Sequence, residues 1–519
     1  MEKLVSVAEM QSIEREANEK GLSYRDMMEN AGTNLAFFVH ETFGEHSPRT
    51  AFALIGSGNN GGDALVALSK LNKLGWKTSA YIVKTRPEGD DQLQRYLQTG
   101  GKVFFIEQDT DQSILGSLLA HPSVLIDGIL GTGVRFPLSS ETEQVMGFVK
   151  QLIAGSEDVP CVIAVDCPSG VDCDTGAVAS NVIPADVTFT MAAIKRGLFA
   201  FPAAELVGKI QVGGIGEIKG LETWQSVKRG VLTDREISQV LPVRSKNAHK
   251  GTFGTALVIA GAANYPGAVL LAGTAAYRIG AGLVKIAIPE YIYPAVVGHL
   301  KEATWVRLPH TSGWINEDAD QVVFPALSGV NALLVGPGLG LEKTTYEFMR
   351  KLVDFNLPAT VIDADGLKLL ASIPDWDLLL GERVVLTPHP GEMAILTGIS
   401  IEEIQTNRLE VAETYAHQWG KVVVLKGAYT VIANPEGSSV LIPFATPALA
   451  RAGTGDVLAG LIVGLLAQGI PLFEAAYAGA YIHARAGLMI KDKYGNSSSV
   501  LAGDLLDVIP KVLSKYQNC

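Results

Sequence analysis

The chain is poor in cysteine, in basic charge and in long apolar runs, and each shortage removes a class of function. Only four cysteines occur in 519 residues, and those at Cys161, Cys167 and Cys173 stand neither in a Cys-x-x-Cys spacing nor beside a histidine. Buried or incidental thiols are therefore expected rather than a disulfide framework or a zinc site. Acidic residues outnumber basic ones by 54 to 42, a net charge of −12. That balance argues against a nucleic-acid or anionic-membrane partner, while leaving room for a local phosphate pocket. The greasiest stretch, residues 457–470, is too short and too interrupted by glycine to span a bilayer, and residues 1–10 lack a basic start followed by an apolar run. A cytoplasmic location with no membrane partner is expected.

What remains is a compact, turn-rich composition, with 47% hydrophobic residues, 18% charged residues and 55 glycines, and a length that calls for two or three domains. Short apolar runs at 51–55, 79–83, 103–106, 124–126 and 162–165 alternate with helix-length amphipathic stretches. The same rhythm returns at 256–259, 284–288, 332–335, 360–362, 384–386 and 422–425. This is the signature of βαβ units and parallel sheets, so the fold class is α/β in both halves. The glycine-rich, aperiodic stretch 213–230 places the boundary near 220–230, giving domains 1–222 and 228–519. Their motifs differ, which indicates fusion of unlike domains rather than duplication.

In open parallel sheets ligands sit beyond the carboxyl ends of the strands, and the loops there are distinctive. After 51–55 comes Gly56-Ser57-Gly58-Asn59-Asn60-Gly61-Gly62-Asp63, read as a glycine loop carrying two amides and a carboxylate. Asp127 heads a second glycine loop containing Gly131, Thr132 and Gly133, and Asp166-Cys167-Pro168-Ser169-Gly170 follows 162–165. Singly, Asn60, Asp127 and Ser169 read as turn-stabilising residues. Together they offer hard oxygen ligands to a loosely coordinated cation and leave Asp166 free for proton transfer. In the second half, Arg451-Ala452-Gly453-Thr454-Gly455-Asp456 puts a small-residue turn at the start of an apolar helix, where free N–H groups converge on an anion. Asp456 is a helix cap, a metal ligand or a group that does chemistry beside that anion.

These motifs, with Met28-Glu29-Asn30-Ala31-Gly32 and residues 189–197, resemble the YjeF N-terminal domain, the epimerase of hydrated NADH and NADPH. The second half resembles its fusion partner, a ribokinase-like dehydratase of the same damaged cofactors, through His249-Lys250-Gly251, Gly336-Pro337-Gly338-Leu339-Gly340, Asp363-Ala364-Asp365-Gly366, Thr387-Pro388-His389-Pro390-Gly391-Glu392, Lys426-Gly427 and the Asp456 turn. The likeness spans nearly the whole chain, and it implies a Rossmann-like three-layer domain followed by a ribokinase-like α/β domain.

The resemblance implies that Asn59, Asn60, Gly61, Gly62 and Asp63, with Gly131, Thr132, Gly133, Val134, Arg135, Phe136 and Pro137, hold the hydrated nucleotide. Potassium would be bound by Asn60, Asp127 and Ser169, with Asp166 as substrate contact and proton-transfer group. Lys195, next to Arg196, reads as a solvated or phosphate-steering charge, with proton transfer as its second candidate role. In the dehydratase half, Gly267, Gly338, His389 and Asp456 would meet the hydrated substrate. Lys426, Gly427, Ala428, Tyr429 and Thr430, with Thr446, Arg451, Ala452, Gly453, Thr454 and Gly455, would meet ADP or ATP with Mg2+. Asp456 would take the hydroxyl proton during phosphoryl transfer. A homo-oligomer is expected.

Two departures from the family pattern stand out. The loop 260–267 lacks the usual Gly-Gly-Ser, which bears on Gly267. Asp-Cys-Pro-Ser-Gly replaces the commoner Asp-Ile-Pro-Ser-Gly, with little consequence expected. The rival reading is a vitamin kinase fused to a non-catalytic nucleotide-binding module. The Thr-Pro-His-Pro-Gly-Glu segment and the attached first domain favour repair over it.

Overall fold

The computed structural model describes residues 1–45, 48–120, 122–155 and 159–516, so the fourth cysteine, at 519, lies outside the described residues. The chain divides into two compact units, Glu2–Arg229 and the part from Gly230 on.

The first unit is built on a seven-stranded sheet in the order Lys102–Phe105, Lys77–Ile82, Thr50–Ile55, Val124–Gly128, Cys161–Val165, Val187–Met191, Lys209–Gly213. Every neighbouring pair is parallel. The strand order reverses between Thr50–Ile55 and Val124–Gly128, the Rossmann-like arrangement in which a crevice opens at the switch point. The central strands are buried along nearly their whole length, as expected where helices cover both faces. One correction falls inside the first glycine loop: Asn59–Lys73 is a helix, with Gly58 as its N-cap. The run 59–63 is thus the opening of a helix rather than an open loop. Its close docking requires glycine at 61, because a Cβ there would lie 2.2 Å from the Gly56 carbonyl oxygen. The unit closes with a short helix, Glu222–Ser226, where Thr223 Oγ1 donates to Glu16 Oε2 at 2.5 Å. Residues 223–227, left between the domains by the sequence pattern, and residues 228 and 229, which that pattern gave to the second domain, belong to this unit.

The second unit carries Thr304–Leu308, Leu283–Pro289, Thr255–Ile259, Ala332–Val335, Ala359–Ile362, Val384–Leu386, Val422–Leu425, Val431–Ala433 and Ser439–Leu441 in that order. The pairs are parallel up to Val422–Leu425, and the last two strands run antiparallel. Helix Thr454–Ala467 is buried on nearly every side, which is why it is apolar all round. It lies against helix Pro266–Ile279 at backbone distance, since a Cβ on Gly460 would sit 2.3 Å from the Ala272 carbonyl oxygen. Among the described residues no helix is long and apolar enough to cross a membrane.

The Gly460 contact reverses a familiar sign. Glycine to alanine inside a helix normally gains up to about 1 kcal/mol, but here the new methyl meets a fixed carbonyl and overpacking costs about 1–3 kcal/mol. Gly460→Ala is therefore expected to lower the melting temperature of the second unit in calorimetry. An unchanged or higher value would show that the two helices can separate freely.

Candidate active sites

In the first unit the carboxyl ends of three adjacent strands meet the start of helix Asn59–Lys73. Asp127, on strand Val124–Gly128, is fully buried. It accepts from Ser169 Oγ at 2.5 Å and from the Ser169 N–H at 2.8 Å. Burial raises its pKa while these donors pull it back. Asn60 Nδ2 donates to the carbonyls of Leu130, at 3.2 Å, and Val165. Gly131 lies against the same amide, since a Cβ there would stand 2.2 Å from Asn60 Oδ1. Asn60, Asp127, Ser169 and the Leu130 and Val165 carbonyls thus form one buried, oxygen-rich knot with a single acidic side chain. That donor set fits a large, weakly hydrated cation.

Asp166 adjoins this knot with φ +65, a left-handed conformation unusual for a residue with a Cβ and maintained only where its surroundings dictate it. Its N–H donates to the Phe189 carbonyl at 2.8 Å. Its Oδ1 accepts from Thr190 Oγ1 and the Met191 N–H, both at 3.0 Å, and from Lys195 Nζ. Three donors on one oxygen leave the other for a ligand. Lys195 is 1% exposed and also donates to the Met191 carbonyl at 3.0 Å. The reading of Lys195 as a solvated charge is therefore corrected: a lysine this buried needs an anion, and the sequence spacing concealed that Asp166 supplies it. Asp63 faces the same cluster, where burial, Asp166 and Glu14 hold its pKa well above the usual carboxylate range against Lys195 and Arg86. Arg86, given no role by the sequence, donates to the Gly56 and Gly58 carbonyls at 2.6 and 3.1 Å. Asn59 and the loop 131–137 are largely exposed.

In the second unit Asp363 leaves strand Ala359–Ile362 almost fully buried. Its Oδ1 accepts from Lys426 Nζ at 2.6 Å and Thr387 Oγ1 at 2.7 Å, and its Oδ2 has no partner. Lys426 also lies 3.5 Å from Glu392. Burial works against its charge, but the two carboxylates outweigh that and raise its pKa. His389 caps helix Pro390–Thr397 through Nδ1, which accepts from the Gly391 and Glu392 N–H groups at 3.0 and 3.2 Å. Its Nε2 lies 3.3 Å from Glu392 Oε1, and burial lowers its pKa despite that carboxylate. Asp456 stands on the first turn of helix Thr454–Ala467, whose N-cap is Gly453 with φ +87 and no side-chain cap bond. The capping role for Asp456 is thereby excluded. Burial and then Asp363 push its pKa up to about 7, with Lys426 pulling the other way. A Cβ on Gly455 would come within 3.6 Å of Lys426 Nζ and 3.8 Å of Asp363 Oδ2, so the glycine turn opens directly onto the charged cluster.

Gly338 packs beside the start of helix Pro266–Ile279, where a Cβ on it would meet Tyr265 Cβ at 2.7 Å. Gly267 has open space on its Cβ side. Lys426–Thr430 link strands Val422–Leu425 and Val431–Ala433, and Thr430 Oγ1 donates to the Gly427 carbonyl at 2.9 Å. Thr446 caps the turn Pro447–Leu449, and the exposed Arg451 donates to the Ser498 carbonyl. Ala452 lies exposed between Arg451 and Gly453. Asp363, Thr387 and Glu392 were assigned no role by sequence. The signal was present in Asp363, a carboxylate at a strand end.

Two family models match the chain. One described as YjeF-related protein N-terminus covers residues 24–197, and one described as NAD(P)H-hydrate dehydratase covers 256–511. The bifunctional NAD(P)H-hydrate repair enzyme Nnr of Moorella thermoacetica is 36% identical over 99% of this chain and 97% of its own. The Escherichia coli enzyme of that name is 31% identical over 96% and 92%. The chain belongs to the bifunctional NAD(P)H-hydrate repair enzyme family. An ADP/ATP-dependent NAD(P)H-hydrate dehydratase from Bacillus subtilis, crystallised with ATP/Mg2+, is 34% identical over 56% of this chain and 99% of that one, with a TM-score of 0.48. The second unit of this family member is an α/β domain built on a mainly parallel sheet.

The raised pKa of Asp456 has a signed consequence for stability. Between the unfolded carboxylate value near 4 and the folded value of about 7, the native state holds a proton that the unfolded chain has lost, so stability falls as pH rises through that window. Asp456→Asn removes the titration. It is expected to melt higher than the parent at pH 8 and to show no such gain at pH 4. An equal difference at both pH values would show that Asp456 titrates normally.

Proposed function

We propose that this chain repairs hydrated NADH and NADPH. Residues 1–222 interconvert the R and S forms, and residues 228–519 dehydrate the S form with consumption of ADP or ATP. The observation that carries the reading is Asp456, a carboxylate poised near neutrality on an uncapped helix start beside Lys426. Hydroxide is a poor leaving group, whereas phosphate is a good one. Asp456 accepts the proton of the substrate hydroxyl as that oxygen attacks the terminal phosphoryl group, and the N–H groups of the Gly453–Gly455 turn stabilise the charge that develops. The ring nitrogen then expels orthophosphate to leave an iminium, and loss of a proton from the adjacent ring carbon restores the double bond of the reduced nicotinamide. Mg2+ fits this site through the orphaned Asp363 oxygen and Glu392, hard oxygen donors beside a phosphate turn, and when bound it neutralises phosphate charge.

In the first unit the hydroxyl-bearing carbon is flanked by nitrogen, so its configuration is lost through an iminium or ring-opened species that needs a proton shuttle and no redox partner. The free oxygen of Asp166 faces that task, and Lys195 holds a proton one hydrogen bond away. Asn60, Asp127 and Ser169 would hold potassium, which orders the loops that carry the substrate. The kinase alternative leaves a phosphorylated vitamin as product and gives no role to the Asp166 cluster.

Purified chain supplied with hydrated NADH, Mg2+ and ADP or ATP is expected to restore the reduced-nicotinamide absorbance and release orthophosphate. Accumulation of a phosphorylated vitamin without that recovery would establish the kinase reading instead. Asp456→Asn should slow recovery by about 10²–10⁴-fold, the usual loss for a positioned general base.

A mixed-epimer sample separates the two units. Asp166→Asn should retain the initial burst on the S form and slow consumption of the remainder, because the substituted residue lies in the other unit from the phosphoryl-transfer site. Asn60→Ala and Asp127→Ala should give the same biphasic course. If all three consume the mixture as fast as the parent, in buffer where spontaneous epimerisation is slow, the first unit is a binding module.

A further inference from the structure

At the carboxyl ends of strands Lys77–Ile82 and Lys102–Phe105 the first unit holds a cleft of about 370 Å³ that no step above uses. Lys84 and Thr85 line it from the first strand end, Glu107 from the second, and Glu141 and Gln144 from helix Ser140–Ala154. Both segments assigned to the hydrated nucleotide lead towards it along the chain, although none of their residues lines it. The loop 131–137 runs into helix Ser140–Ala154, and the Val83 N–H donates to the Ile55 carbonyl at 2.9 Å, at the strand end that leads to residues 59–63.

Distance supports the same placement. Asp166 follows strand Cys161–Val165, and three strand spacings separate that strand from Lys77–Ile82, about 14 Å at the usual interval. That is the reach of an extended dinucleotide lying across a switch-point crevice with its reacting ring at one end. The cleft therefore falls where the far nucleoside arrives. Its charge selects among nucleosides. Glu107 is exposed and fixed by Thr85 Oγ1 at 2.9 Å, which leaves carboxylate capacity for ribose hydroxyls. Asp109, also in the lining, already accepts from the Ile114 and Leu115 N–H groups and Tyr81 Oη. Lys84 is the single cation of the lining, against Glu107, Asp109 and Glu141.

We propose that this cleft binds the adenosine end of the substrate, with Glu107 accepting from the ribose and repelling a 2′-phosphate, so that epimerisation favours hydrated NADH over hydrated NADPH. The proposal rests on the epimerase reading above. The test uses the full chain without ADP or ATP, so that no phosphoryl donor is present, and follows interconversion of the separated R and S forms by chromatography. The parent should favour hydrated NADH in kcat/KM by on the order of tenfold, the factor that one hydrogen bond to a charged group commands. Glu107→Gln should narrow the ratio, and Glu107→Lys should reverse it. Both changes should appear in KM with kcat little altered, because the cleft is remote from Asp166. Equal use of the two hydrates, or a ratio unmoved by Glu107→Lys in a variant that melts like the parent, would overturn the subsite while leaving the epimerase intact. Absence of interconversion of either hydrate by the parent would overturn the epimerase reading and the subsite with it.

Discussion

A carboxylate buried at the end of a parallel strand is tolerated only where a cation or several donors meet it, and both candidate sites are organised around that requirement. Asp363 is met by Lys426 and Thr387, and Asp166 by Lys195, Thr190 and the Met191 N–H. In each unit the lysine comes from near another strand end, so the ion pair fixes how the loops of the two strands sit over the sheet. The pairs also decide which neighbouring carboxyls go without a cation. Asp456 and Asp63 lie beside charges already spoken for, and each has its pKa raised first by burial and then by the paired aspartate. The raised pKa of Asp456 is thus a by-product of Asp363 having claimed Lys426.

Backbone conformation does the remaining positioning. Asp166 and Ala364 both take positive φ directly after or near a strand end, where an ordinary turn would direct the side chain elsewhere. At Asp166 the strain is sustained by hydrogen bonds from the adjoining strand, through the Phe189 carbonyl and the Met191 N–H. Gly453 adopts φ +87 and so starts helix Thr454–Ala467 without a capping side chain, which keeps its first N–H groups available to an anion.

The α/β rhythm was legible because buried parallel strands are continuous apolar runs, and runs such as 332–335, 384–386 and 422–425 coincide with the strands observed. Strands Val187–Met191, Lys209–Gly213, Thr304–Leu308, Val431–Ala433 and Ser439–Leu441 escaped notice because they are short or interleave polar residues. Thr188, for example, is buried and satisfied by the Val207 carbonyl at 2.7 Å, a partner no local pattern displays. The motif positions around Asp127, Asp166 and Asp456 stood out through residue type. The pairing partners did not, since Lys195 meets Asp166 across 29 positions and Lys426 meets Asp363 across 63. Charge pairing across strands is a property of sheet order, which a linear pattern does not contain. For the same reason Lys195 looked like a surface charge.

The two clusters differ in a way that matches the two kinds of proton transfer proposed for them. Interconversion of R and S forms must run in both directions from nearly equivalent starting points, so the transferring group has to give and take a proton with similar ease. An aspartate sharing its oxygen with a lysine, a threonine and an amide has donor and acceptor in one hydrogen-bonded set, and it returns to the same state after either direction. Phosphoryl transfer is different: the proton leaves the substrate hydroxyl once, and the product oxygen carries phosphate instead. A single carboxylate with a pKa raised to about 7 is a stronger base than an exposed aspartate, and it still releases its proton to solvent near neutrality before the next cycle. Pairing Asp456 directly with a lysine would lower that basicity. Its placement beside an ion pair rather than within one is the feature that distinguishes the second site from the first.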